Sequence, residues 1–303
     1  MGRTQQEAAT LEKSGKKSGR KPGGSASYKD KYRGFQVPLV AWVFAGILVA
    51  VVVVIAFSAL STSPTVSADN GKPIPASIVT ELTTIPASTW NPVGIQQSTQ
   101  PAVARPMALH APTVLYIGGE YCPFCAATRW ALTIALSRFG SFSGLKYMHS
   151  SPTDVFPNTP TMSYRGATYH SRYISAQLVE EYNRQGVPVQ RLTAYQAAML
   201  KRYDVPPYVP ATTQAGTYPI PFILIGGHYL WISAPYSPGV LTGASWSAIL
   251  GDVHSGQGAI ADAILANANE FTAAICRSDG NRPASVCDQS SISTAESILP
   301  GVP

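Results

Sequence analysis

The apolar run from Val37 to Leu60 contains no charged side chain. It includes Leu39-Val40-Ala41-Trp42-Val43-Phe44 and Val51-Val52-Val53-Val54-Ile55. About 20 apolar helical residues cross a bilayer, so the pattern predicts one transmembrane helix over residues 35–60. A cleaved signal peptide is the alternative, although its apolar region is usually only about 7–15 residues long. Val66-Ser67-Ala68 offers a small-x-small cleavage site for that reading.

Beyond this run the pattern changes. Residues 61–74 are rich in Ser, Thr and Pro and read as a linker. Prolines then recur at 75, 86, 92, 101 and 106, and Ile78–Leu82 has the makings of a short helix. This stretch reads as a lead-in packed on a domain that spans 75–303. Thr113–Ile117 predicts a buried strand. Ala127, Trp130, Ala131 and Ile134 recur at helical spacing and predict a helix over 126–139. Leu145–Met148 predicts the next strand, and short alternating stretches around Gly166, within 161–178, suggest a hairpin. Residues 175–184 and 193–202 look helical. Phe222–Ile225, Gly226-Gly227 and His228–Ile232 form a strong hairpin signal, a two-residue turn between β-rich runs. Residues 246–250 and 259–276 read as closing helices. The expected class is α/β, with parallel pairing where early strands are joined by crossovers and an antiparallel edge at the Gly-Gly turn.

Charge adds an orientation. Residues 1–34 carry nine Lys/Arg and three acids, so the whole formal charge of +6 sits there. This tail, rich in Lys, Gly and Ser, reads as disordered. Nucleic-acid binding is a poor reading, since the tail lacks interleaved aromatics and the remainder is electrically neutral. A basic flank stays in the cytoplasm, which places the C-terminal portion outside. The expectation is a single-pass cell-membrane protein with a cytoplasmic N-terminus. Disulfides persist outside the cytoplasm.

The candidate chemistry lies in Cys122-Pro123-Phe124-Cys125, after the strand 113–117 and before the helix 126–139. Two cysteines at this spacing, where a strand becomes a helix, form a redox dithiol. The first sits near the first helical turn, where unpaired N–H groups and the macrodipole favour a thiolate. The second lies close enough to close a disulfide, and Pro123 suits the first helical position. The chain has four cysteines, which allow three connectivities. We take Cys122 with Cys125, which is locally set, and Cys276 with Cys287, which closes a short C-terminal loop as a structural disulfide. Such a loop contributes roughly 3 kcal/mol in the chain-entropy model. No metal site or cofactor is expected, because a zinc site needs four ligands and the second cysteine pair is not closely spaced.

The segment 113–139 resembles the active-site unit of the thioredoxin superfamily, and Cys-Pro-Phe-Cys resembles the dithiols of glutaredoxins. That likeness implies a cis-proline before the hairpin, facing the dithiol, and Ile220-Pro221 matches it. The region from about 75 to 277 is also similar to a prokaryotic family of membrane-tethered proteins known as a domain of unknown function. Cys125 and Pro221 lie further apart than in plain thioredoxin, which implies an insertion over about 152–217. Periplasmic oxidases of the DsbA type carry an insertion at the same point, but theirs is a helical bundle, and this one looks partly β.

The resemblance implies roles. Cys122 is the nucleophile and Cys125 resolves the mixed disulfide. Pro221 shapes the site, Ile220 presents its backbone to an extended peptide and binds substrate together with Phe124, and Phe124 with Pro123 tunes redox balance and exposure. Glu120 is a candidate proton acceptor for the resolving thiol, with an exposed loop carboxylate as the alternative. Arg129 reads as a solvated helix residue, or as support for a nearby anion. His149 and His228 are weaker candidates, read first as structural. The expected function is extracytoplasmic thiol–disulfide exchange on exported proteins bearing thiols or disulfides, with a membrane redox partner. The alternatives are a binding or scaffold module whose dithiol is a structural disulfide, and a copper(I) carrier helped by Met148.

Overall fold

A computed structural model describes residues 69–95, 101–103, 112–209 and 218–301. All of them lie in one compact unit, Ser63–Pro303. The predicted tail, membrane helix and most of the predicted linker lie outside the described residues. No helix among the described residues is long and apolar enough to cross a membrane.

The chain runs α1 (Ala76–Thr83), α2 (Ala87–Trp90), β1 (Ala102–Val103), β2 (Val114–Gly119) and α3 (Pro123–Ser137). It continues through β3 (Gly140–Ser143), β4 (Lys146–His149), β5 (Pro160–Ser163), β6 (Thr168–Ser171), β7 (Ala176–Tyr182) and α4 (Ala194–Tyr203). The hairpin β8 (Phe222–Ile225) and β9 (Tyr229–Ile232) follows, then α5 (Trp246–Ser255), α6 (Gly258–Asp279), α7 (Ala284–Cys287) and α8 (Ser290–Ile298).

The main sheet has the order β1-β9-β8-β2-β7. β2 pairs parallel with β7 and antiparallel with β8, so the sheet is mixed. β2 is buried along its whole length because both faces of the sheet are covered. Successive side chains of a strand point to opposite faces. Val114 and Tyr116, with Ile223, Ile225 and Trp231, therefore join the core built on α3 and α6. Leu115 and Ile117, with Phe222 and Leu224, join a smaller core under Met199, Leu200 and Tyr203 of α4. Strands buried on both sides show no polar alternation, which is why 113–117 reads simply as an apolar run.

Four sequence expectations are corrected. The expected helix 175–184 is instead strand β7, Ala176–Tyr182. The polar residues that give this stretch a helical look include Glu180, which is fully buried inside the sheet layer. The parallel partner of β2 is β7, whereas β4 pairs antiparallel with β5. The hairpin expected around Gly166 does not pair with itself: β6 pairs with β3 and β5 with β4. The two small sheets thus make one long antiparallel ribbon, interrupted by turns at Gly144 and Gly166, both at positive φ. Finally, the range 152–217 is not one segment apart from the main sheet: the ribbon runs Gly140 to Ser171, β7 is a strand of the main sheet, and α4 follows it.

The end of the expected linker is also part of the fold. The Gly71 and Ile74 N–H groups donate to the Tyr147 and Leu145 carbonyls at 2.8 and 2.9 Å, so the lead-in pairs alongside β4. At the other end of the chain, Cys276 and Cys287 form the expected disulfide, with Cα atoms 5.7 Å apart, and tie α6 to α7.

Two buried acids leave a pH signature. Glu270 on α6 and Asp204 after α4 have carboxylate oxygens without partners among the described residues. Burial pushes Glu270 up to about 8 and Asp204 up to about 7. A folded-state value above the unfolded one means that the native state holds its proton more tightly, so stability falls as pH rises between the two. The thermal midpoint is expected to drop from pH 5 to pH 8. Glu270→Gln is expected to raise the midpoint at pH 8 and leave it unchanged near pH 4.5, as scanning calorimetry at both pH values can show.

Candidate active site

Strand β2 ends in Gly118-Gly119, and the chain turns through Glu120 and Tyr121 into α3. Cys122 is the N-cap of that helix and Pro123 its first residue. The Cys122 sulfur accepts the backbone N–H of Cys125 at 3.1 Å. A sulfur in this position satisfies one of the unpaired donors at the start of the helix.

The opposite wall is the start of β8. The Ile220–Pro221 peptide bond is cis, and the Ile220 carbonyl oxygen lies 3.6 Å from Cys122 Sγ. Ile220 also closes over the turn, since a Cβ on Gly119 would lie 3.4 Å from its Cδ1. Gly118 has a stricter requirement: a Cβ there would run into the Tyr116 hydroxyl and lie 3.1 Å from Cys125 Sγ. No larger residue fits between that phenol and the second sulfur.

Cys125 is fully buried and Cys122 is 5% exposed, and the two are free thiols here rather than the disulfide taken from the sequence. The tip of the ribbon accounts for part of this burial. Phe156 packs edge-to-face on Phe124, with ring centroids 5.8 Å apart, and the Ser151 N–H donates to the Tyr121 carbonyl at 2.7 Å. A cleft of 360 Å³ lies beside the dithiol, lined by Tyr121, the Ser151–Thr153 stretch and Arg184–Gly186. Arg184 is anchored there by donating to the carbonyls of His149 and Ser150 at 3.0 and 3.1 Å and to Asn158 at 2.7 Å.

Under the dithiol lies a cluster that sequence reasoning missed. Arg129, expected on a solvated face, is fully buried. Helix α3 packs against the sheet, the ribbon and α6 together, so it has almost no solvent face. Arg129 Nη1 donates to both Glu180 oxygens at 2.9 Å, to the Tyr116 hydroxyl at 3.2 Å and to the Gly119 carbonyl at 3.3 Å. Its Nε donates to Thr161 at 3.3 Å, and Thr161 in turn donates to the Ala126 carbonyl at 2.9 Å. One side chain therefore ties α3 to β2, β5 and β7. Glu180 pairs in register with Gly118 across the parallel strands, which brings it under the site. No sequence signal leads to it, because 175–184 reads as a helix.

The charges respond to this burial. Burial pushes the Cys125 thiol well above its ordinary value, the hydrogen bond and charge of Cys122 push it further, and Arg129 pulls it back. Burial raises Glu180 to about 7, against the pull of Arg129 and with help from Glu120. Burial, then the two cysteines, push Tyr121 up to about 12. Glu120 is buried as well, but its carboxylate faces the ribbon: Ser163 donates to it at 2.6 Å, and Arg165 lies 3.3 Å away.

The remaining candidates sit elsewhere. His149 ends β4, with Nδ1 2.9 Å from Asn70. His228 lies in the turn at the end of β8 opposite Pro221. Met148 is buried in β4. Among the described residues no group of three or more His, Cys, Asp or Glu side chains is placed to hold a metal ion.

A dithiol at a helix N-terminus, facing a proline-bearing strand on an α/β scaffold, defines the class of site. The chain itself belongs to the family described as a domain of unknown function (DUF929), whose sequence model matches residues 104–277. The match takes in the dithiol, the ribbon, the β8–β9 hairpin and most of α6. No curated protein and no solved structure matches the chain.

The Arg129–Glu180 pair yields a stability prediction. Removing one partner of a buried pair strands the other charge and costs about 3–5 kcal/mol, whereas replacing both with apolar residues is often close to neutral. Arg129→Met is expected to destabilise by that amount, and adding Glu180→Leu to recover most of it. Urea unfolding of the single and double variants measures both.

Proposed function

We propose that this protein is a membrane-tethered, thioredoxin-like thiol–disulfide oxidoreductase acting outside the cytoplasm on exported proteins. One observation carries the reading: the Cys122 sulfur caps a buried helix and lies 3.6 Å from the Ile220 carbonyl, beside the cis Ile220–Pro221 bond. The sheet order supports the thioredoxin-like part. Parallel β2 and β7 flank the dithiol helix in sequence, and the antiparallel β8–β9 hairpin begins at the cis-proline. The membrane tether rests on the uncharged run 37–60 and the basic tail before it.

The chemistry balances without a further reagent. The Cys122 thiolate attacks one sulfur of a substrate disulfide and bonds to it, and the other substrate sulfur leaves as a thiolate. Cys125 gives up its proton and attacks Cys122 Sγ, which closes the Cys122–Cys125 bond and releases the second substrate thiol. The substrate gains two electrons and the dithiol loses two. Run in reverse, the oxidised pair delivers a disulfide to an exported dithiol, and a membrane redox partner restores it. A buried carboxylate near the site, Glu120 or Glu180, takes the Cys125 proton; Glu120 is engaged by Ser163 and Arg165, and Glu180 by Arg129. The Ile220 backbone accepts an extended substrate segment as an added strand.

A second reading has an observation of its own. With Cys122 only 5% exposed, the pair could serve as a buried staple in a binding or scaffold module. Cysteine variants separate the two. In exchange assays with a disulfide peptide, Cys122→Ser is expected to abolish turnover. Cys125→Ser is expected to accumulate a mixed disulfide on Cys122, visible as a mass increase equal to the peptide. Turnover in Cys122→Ser at the wild-type rate rules out the redox reading and leaves the staple.

A further inference from the structure

A second cavity, of 530 Å³, shares no lining residue with the cleft beside the dithiol. It forms where three remote stretches of chain meet: the lead-in, strand β4 and the start of α5. Its volume is that of a small-molecule site, roughly 300–1,000 Å³.

Two aromatic rings, nearly perpendicular to each other, line it. Trp246 and Tyr147 meet edge-to-face at 4.9 Å and 86°. Trp246 is held from behind by Trp130, 4.5 Å away, so its ring is fixed by the core. Two acids from the lead-in, Asp69 and Glu81, also line the cavity, and no Lys or Arg does. Lys72 pairs with Asp69 at 3.0 Å, but both side chains are more than half exposed, so solvent screens that pair. His149 adds no positive charge at neutral pH, because burial and then Arg184 lower it, against Asp69. The N-terminus of α5 works against a cation, but it amounts to roughly half a charge, and its capping Ser245 already takes the Ala248 N–H. The Glu81 carboxylate outweighs it.

We propose that this cavity binds a small soluble organic ammonium ion, its charge beside the Trp246 and Tyr147 rings and facing Glu81. Aromatic faces attract a cation within about 6 Å, and quaternary ammonium groups suit them best because they hold water weakly. Ile78 and Leu250 supply apolar lining for the carbon substituents.

Isothermal titration calorimetry on the full chain, purified in a maltoside detergent, tests this with choline, tetramethylammonium and 3,3-dimethyl-1-butanol. The last is the uncharged isostere of choline. Both ammonium ions are expected to bind saturably, and choline at least about tenfold more tightly than the alcohol. Glu81→Gln is expected to weaken choline binding several-fold. The Glu81 side chain makes no hydrogen bond among the described residues, so the thermal midpoint of this variant should match that of wild type. Equal affinity for choline and the alcohol would reveal an apolar hole and overturn the proposal. So would the absence of saturable heat with either ammonium ion, or unchanged choline affinity in Glu81→Gln. None of these outcomes bears on the dithiol.

Discussion

The guanidinium of Arg129 fixes where the two cysteines sit. A charge with no solvent exposure is costly unless it is paired and hydrogen-bonded, and here the partners come from three strands. Glu180 on β7 supplies the opposite charge, Tyr116 and Gly119 on β2 supply oxygens, and Thr161 on β5 links the arrangement back to the helix backbone. Helix α3 cannot slide or turn without breaking several of these contacts at once. Its N-terminus, and with it the capping sulfur, is therefore held against the Ile220–Pro221 segment. The same cluster explains Gly118, because the Tyr116 phenol that accepts from Arg129 occupies the space that a Cβ would need.

What could be read from the chain, and what could not, follows from this burial. The dithiol helix was legible because its signals are local: an apolar strand, a Gly-Gly step, proline at the first helical position and apolar residues at helical spacing. The β8–β9 hairpin was legible for the same reason, since Gly226 and Gly227 both take positive φ in the turn. Strand β7 was not. Its buried Glu180 answers to a partner fifty-one positions away in the chain, and a buried Glu looks like a surface Glu until the Arg it pairs with is located. The ribbon misled for a different reason. β5 and β6 alternate as hairpin strands do, yet each finds its partner across the tip, in β4 and β3, at longer range than the turn at Gly166 suggests. Arg129 was misplaced because a helix covered on all sides shows no polar stripe.

The two cysteine pairs sit in contrasting settings. Cys276 and Cys287 join the last turn of a long helix to the short helix after it, where a crosslink restrains the C-terminal end. Cys122 and Cys125 share a helix N-terminus, a carbonyl approaching at 3.6 Å and a buried charge cluster beneath. Stapling alone requires none of these features. The ribbon tip, resting on Phe124 through Phe156, narrows the approach to Cys122 and leaves the Tyr121–Arg184 cleft alongside it. An extended segment meeting Ile220 as an added strand would lie next to that cleft.

The reduction potential of the Cys122–Cys125 couple, measured by equilibrating the full chain in glutathione buffers and trapping free thiols by alkylation, tests the account most directly. An exchange-competent pair should fall between about −120 mV, the range of strong oxidants, and about −270 mV, the range of reductants. A potential below about −300 mV, where structural disulfides lie, would mean that the pair is a staple and contradict the account.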